Sequence, residues 1–539
     1  MIIFMKYIST FLLFCLCAVL GFAQDLPAGQ IEVVKDFEVR LMETPKIRIV
    51  PYVTKHDTIV RNFTYELLAP SPSISYITPE LKPLAMTAEK RSDSYPLFAK
   101  IGYGNPNAIL GALSYDHMTG DQLFWGIDLR HERANNKKIP VQKYATSHGR
   151  LDGGYILDNG LQIDAHLDGS FESHYFYGAD PIPQNTESLK RKFNRYEGAV
   201  QLTRHISPVN SLGYQLNLQY RYDKDDLGSK ENTLRLGGQA ASSLAQGELP
   251  IGIRAELDYT KFTHFEEYQL NNIILAPYVH YALGDLRIQL SGKALFVDDQ
   301  KTEILPDIML STGLFEHRLT IRAGWESEVY KNNFHTISTL NPYIWTRLDS
   351  ITNTVSRRIF AGATGKAGEF EFDLSGGYTK FNALALFLQY EFDPEQFEVL
   401  YDNGSFIGLE GSVKYEPLKY VTVRAAAWQR FYSLKNEDKP WHRPSFGLDA
   451  QTTYNGGGDT YHVSLLFHAE NGLPWRTIGE TEMRLDPLLD LNLHADYFIT
   501  PNIGVFAEVN NMLNNKRERW VNYPRYGFHV MGGIVVRFL

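Results

Sequence analysis

Cysteine is almost missing. Of 539 residues only Cys15 and Cys17 carry a thiol, and both fall in a stretch that reads as a targeting signal. Lys6 supplies its positive start, residues 8–20 its apolar middle, and Gly21-Phe22-Ala23 a small-residue cleavage site before Gln24. Phe14 and Leu16, which precede the two cysteines, are not small, and this argues against lipoprotein processing. Removal of the signal peptide, residues 1–23, is expected to leave a chain with no thiol, no disulfide and no cysteine metal site.

Long hydrophobic runs are missing as well. Past the signal, nothing approaches the roughly 20 apolar residues that a spanning helix needs. No basic block occurs and the net charge is −9, so nucleic-acid binding has no support. The P-loop, the dinucleotide fingerprint, H-E-x-x-H and G-x-S-x-G are all absent from the sequence. The chain therefore reads as a non-enzyme without a cofactor.

What is present is alternation. Leu212, Tyr214, Leu216, Leu218, Tyr220 and Tyr222 alternate with Gln215, Asn217, Gln219 and Arg221. Ile253, Ala255, Leu257 and Tyr259 alternate with Arg254, Glu256 and Asp258, and Leu489, Leu491 and Leu493 with Asp490, Asn492 and His494. Period two means a strand with one apolar and one polar face. A soluble sandwich would show it too, but here the runs recur at the ~10-residue length of a tilted membrane strand, more often than one sandwich could use. Tyr220, Tyr222, Tyr259, Tyr415 and Phe538 sit at strand ends, where an interfacial girdle would lie. The predicted fold class is all-β, a transmembrane antiparallel up-and-down β-barrel of about 22 strands over residues 96–539.

The connections alternate in length. Met118-Thr119-Gly120, Asp158-Asn159-Gly160, Ser207-Pro208-Val209-Asn210, Gly284-Asp285, Phe315-Glu316-His317, Glu416-Pro417-Leu418-Lys419 and Thr500-Pro501-Asn502 read as tight turns. Longer polar links span 132–146, 178–192, 435–444, 471–486 and 514–526. Outer-membrane barrels keep short turns in the periplasm and long loops outside, which puts both termini in the periplasm. Residues 397–403 leave room for an extra hairpin, and 341–354 read poorly as strand.

The last strand alternates Phe528, Val530, Ile534, Val536 and Phe538 against His529, Met531, Val535 and Arg537. These five apolar residues are the expected assembly signal for the outer-membrane insertion machinery. With Asn510-Asn511-Met512-Leu513-Asn514, Tyr523-Pro524-Arg525 and Gly533-Ile534 through Arg537-Phe538, the terminus resembles the C-terminal barrel of TonB-dependent receptors. The resemblance implies a barrel filled by a plug and coupled to a TonB-type energiser. The leader, residues 24–95, departs from that pattern. It is short, opens on Ile31-Glu32-Val33-Val34-Lys35-Asp36-Phe37, and is punctuated by Pro45, Pro51, Pro70, Pro72, Pro79 and Pro83. Such spacing suits an extended segment, a reduced plug at most.

Two constellations are candidate sites. His166 with Asp164 and Asp168, and His494 with Asp490 and Asp496, share polar faces; they read as a wetted lumen wall or, alternatively, as cation ligands. Trp441, Arg443, Trp475, Arg476, Arg519 and Trp520 pair aromatics with cations in the long loops, the residue types of binding hot spots. Trp441 and Trp520, near strand ends, read as lipid-rim anchors ahead of ligand contacts. The expected function is binding or transport of a solute across the outer membrane, in contact with its lipid. The alternatives are a structural or assembly component with a periplasmic or outer-membrane partner protein, and a passive pore.

Overall fold

The computed structural model describes residues 95–178, 181–205, 212–244, 249–298, 302–458, 460–477 and 481–538. The expected signal peptide, the leader up to residue 94 and the expected turn Ser207-Pro208-Val209-Asn210 lie outside the described residues.

Period-two patterning leaves each segment with an apolar face that only lipid or another sheet can cover, and backbone groups that only neighbouring strands can satisfy. Closure solves both at once. Twenty-two strands form one antiparallel sheet. The first strand, Leu97–Asn105, pairs with the last, His529–Phe538, from Leu97 opposite Phe538 to Asn105 opposite Val530, so the sheet has no free edge. The predicted strand number and fold class hold.

Alternation assigns the faces. Leu218, Leu236, Leu257 and Ile273 are cross-strand neighbours and all exposed on the outside, a row suited to hydrocarbon. Their neighbours point inward and pair: Arg221 with Glu197 at 2.5 Å, Arg235 with Asp258 at 3.1 Å, Arg322 with Asp373 at 2.7 Å and Lys100 with Glu508 at 3.1 Å. The lumen is therefore a charged wall knitted by ion pairs.

Short connections gather at one end, where Gly120, Gly160 and Gly284 take positive φ of 62°, 78° and 59° in tight turns. Glu416 and Pro417 belong to a strand, and that turn is made one step later, at Lys419 and Tyr420. The other end carries the long loops, with two departures. Strands Phe370–Tyr390 and Asp393–Leu418 run far past their neighbours as a ribbon joined by only two residues. This ribbon occupies the stretch where an extra hairpin had room. A bulge between Phe381 and Leu384, with Ala383 at φ 51°, interrupts its register below the buried run Ala385-Leu386-Phe387. Of residues 341–354, poor as strand in the sequence, 341–351 are loop and 352–354 open the strand Thr352–Ala367; a short helix, Phe334–Leu340, lies just ahead of them.

Candidate functional site

The loop 333–351 is too apolar to live in water: Phe334, Ile337, Ile344, Leu348 and Ile351 are all buried. They join Phe193, Phe262, Leu270, Leu295 and Leu305 from the barrel wall in one hydrophobic cluster, with Phe334 packed 6.2 Å from Phe193 and 5.7 Å from Phe262 between ring centres. Burial of this kind contributes about 1.5–3 kcal/mol per large side chain. The helix is fastened at its start. Asn333 accepts from the Thr336 backbone N–H at 3.1 Å, while the Glu231 carboxyl on the wall accepts from Asn333 Nδ2 at 2.7 Å, Phe334 N at 2.8 Å and His335 N at 3.3 Å. Those are the N–H groups that a helix start leaves without partners. Arg195 donates to Ser338 at 3.0 Å, Arg191 to Thr346 at 2.7 Å, and Asn272 and Asn353 bond reciprocally, so the loop is latched along its length.

A second layer comes from 435–445, 472–487 and 511–528, and here all six aromatic and cationic candidates fall. Trp441 is 2 % exposed, packs on Leu386 and Leu388, and donates its indole N–H to Glu437 at 2.6 Å. Trp520 is 6 % exposed, with its ring centre 5.0 Å from Phe387 and 5.4 Å from Phe397. The lipid-rim reading of these two tryptophans is corrected: both point into the loop core, because the bulged ribbon supplies an apolar surface there. Arg443 donates to the Ala385 carbonyl at 2.9 Å, and Arg519 to the His442 carbonyl at 2.8 Å while pairing with Glu470 at 3.0 Å. Arg476 lies 5.4 Å over Trp441 and 3.7 Å from Glu437; Trp475 is half-buried against the large cluster.

His442 joins these layers. Its backbone N–H donates to Pro474, its Nδ1–H to Phe387 at 2.8 Å, and its ring lies 5.5 Å from Trp520 and 5.1 Å from Phe397. Burial first, then the nearby Arg519 guanidinium, push its pKa down to about 4, so the imidazole is neutral.

Under this roof lies a cavity of about 600 Å³. Its ceiling is Tyr343 stacked on Tyr523 at 3.6 Å, with Tyr177 edge-on to Tyr523 at 5.0 Å. Burial raises the Tyr343 and Tyr523 phenols well above their ordinary range, so both remain protonated. The walls bring in Arg130, Glu132, Tyr144, Asp490, Arg525 and Tyr526. Neutral donors, aromatic faces and both charge signs thus converge on one space. Sequence reading gave no site role to Glu231, Tyr343 or His442 and quoted Tyr523 only for the family resemblance; the one available signal was a nominal loop carrying five large apolar side chains behind the capping residue Asn333.

The histidine–aspartate rows do line the lumen. His166 pairs with Glu197 at 3.3 Å, Asp168 with His148 at 2.7 Å, His494 with Asp496 at 2.8 Å and Glu508 at 3.3 Å, and Asp490 with Arg525 at 3.9 Å. Among the described residues no group of three or more such side chains is arranged to hold a metal ion. Of the terminal-strand residues, Phe528, Val530, Ile534 and Phe538 are exposed on the outer face.

No family model and no curated protein matches the sequence. Solved structures do. The FrpB iron transporter from Neisseria meningitidis superposes with a TM-score of 0.64 at 10 % identity, over 83 % of this chain and 82 % of that one. The siderophore receptor PirA from Acinetobacter baumannii gives 0.63 at 11 % identity, over 83 % and 81 %. The ferric-catecholate import receptor Fiu from E. coli, in its closed form, gives 0.61 at 9 % identity, over 83 % and 82 %. At such identities the fold is what is shared: the chain has a TonB-dependent-receptor-like barrel, as its last strand implied.

Proposed function

We propose that the protein is an outer-membrane receptor that admits a solute through a barrel closed by its own loops. The observation that carries this reading is the roof itself. The loops 333–351 and 511–528, with Tyr177, cap a cavity of about 600 Å³ lined by tyrosines and paired charges, beside a buried apolar cluster. A passive pore has no use for a latched apolar roof, and a scaffold has no use for a cavity beneath it. In this reading the long loops face the outside, both termini face the periplasm, and the last strand is the signal read by the insertion machinery.

The solute fits as an organic molecule with aromatic surface for Tyr343 and Tyr523 and acceptor groups for Arg130 and Arg525. The compared proteins include an iron transporter and siderophore receptors, which supports a ferric chelate as the first solute to try. Trp475 and Arg476, half-buried at the roof edge, are the loop residues placed to meet it first. Trp441, Arg443, Arg519 and Trp520 hold the roof closed and must part before it enters. A TonB-type energiser supplies the work of opening.

The test is uptake of labelled ferric chelates by cells with and without the protein, before and after a protonophore. Uptake that requires the protein and stops on de-energising is expected. Uptake independent of the protein, together with a stoichiometric partner in pull-downs from native membranes, would favour the assembly role instead.

A further inference from the structure

On the outer surface, at the long-loop end, period two produces an unusual row. Arg191 and Phe193, Asp223 and Asp225, Glu231, and Thr260 and Phe262 are buried on the inner face. The residues between or beside them therefore point outward: Lys190 and Lys192, Lys224, Lys230 and Lys261, on adjacent strands. Lys261 is neutralised by Glu267 at 2.7 Å, and Lys190 approaches Glu187 at 3.8 Å. The other three have no such partner. Among the described residues no carboxylate lies within ion-pair distance of the Lys192, Lys224 or Lys230 ammonium groups. Asp226 accepts the Lys192 backbone N–H at 3.1 Å.

Lys224 stands directly opposite Lys230 in the register, and Lys192 lies two residues up the next strand from Asn194, the partner of Lys224. Like charges directly opposite on one face destabilise a sheet unless an anion bridges them. Just toward mid-membrane come Tyr196 and Tyr222, stacked at 6.4 Å, and Tyr220, the aromatic residues of a headgroup-level girdle. The three lysines thus sit together on adjacent strands at the long-loop end, just beyond the tyrosine girdle.

We propose that Lys192, Lys224 and Lys230 form a binding site for the phosphate groups of an anionic lipid in the leaflet at the long-loop end. The acyl chains lie along the outer leucine row, and the phosphates bridge the facing ammonium groups. The site is independent of the solute that enters the barrel.

The full protein is reconstituted in phosphatidylcholine nanodiscs containing diphosphorylated lipid A or its dephosphorylated counterpart, and retained lipid is counted by native mass spectrometry. The wild type is expected to retain the diphosphorylated form, and less of it as ionic strength rises. The triple variant K192Q/K224Q/K230Q should bind it about a hundredfold more weakly, on the scale of basic clusters at anionic surfaces. K366Q, which removes an exposed lysine at the short-turn end, should bind as the wild type does. Equal retention by the triple variant, or equal retention of dephosphorylated lipid A, overturns the proposal. So does wild-type retention indifferent to salt, which needs no variant to read. A site that inorganic phosphate fills as tightly as the lipid would be a free-anion site, and that result overturns it too.

Discussion

His442 is held at the meeting point of three roof segments by one backbone carbonyl, two aromatic rings and a neighbouring guanidinium. Its neutrality makes the roof sensitive to acid. In an opened loop the imidazole titrates near ~6.5, whereas in the closed roof it does so at about 4. Above the first value both forms are neutral, and pH has no effect through this group. As pH falls between the two, the open form takes up a proton that the closed form refuses, and closure loses stability across that window. We expect the emission of Trp441 and Trp520, both beside His442, to shift toward that of exposed indole over this range. In His442→Gln the shift should disappear; a shift that persists in the variant would assign it elsewhere. The sequence singled out the tryptophans and arginines around this histidine and placed them in the long loops, but for Trp441 and Trp520 it weighed lipid rim against ligand and not the loop core that buries them. Strand ends and loop cores look alike in sequence when the ribbon that buries them is distant: Phe387 and Phe397 lie far along the chain from Trp520.

Among elements, strands were legible and the roof was not. A strand declares itself through neighbours two residues apart, so Leu212 to Tyr222 could be assigned without knowing what pairs with them. The helix Phe334–Leu340 depends on Glu231, 102 residues earlier, for its N-terminal bonds, and nothing local announces that partner. Glu231→Ala tests how far the latch matters. It leaves two buried donors and one half-buried donor short of an acceptor, at roughly 1–3 kcal/mol for each buried one before water re-enters. The expected outcome is rapid proteolysis and hydrogen exchange within 333–351 in a barrel that still migrates as folded. Unchanged protection of that loop would mean that the apolar cluster alone suffices to hold it.

For the whole molecule, closure is the organising fact, and it was readable because an even number of alternating segments has only one way to hide its edges. The two faces of the wall should answer oppositely to charge. Leu236→Arg, midway along its strand on the outer face, should cost about 2–4 kcal/mol of folding stability in lipid vesicles. Gln201→Arg, on the inner face opposite Asp164 and Asn217, should cost little. Urea midpoints measured in the same vesicles separate the two. The roof obeys different physics from the wall. Its apolar cluster is assembled from water-facing loops, so opening it hydrates that surface and raises the heat capacity. The outer leucine row stays in hydrocarbon whatever the loops do. Heating should therefore find two transitions, the first with the calorimetric signature of a small soluble domain. In that sense the chain builds a globular protein on top of a membrane protein, and only the upper one feels the hydrophobic effect.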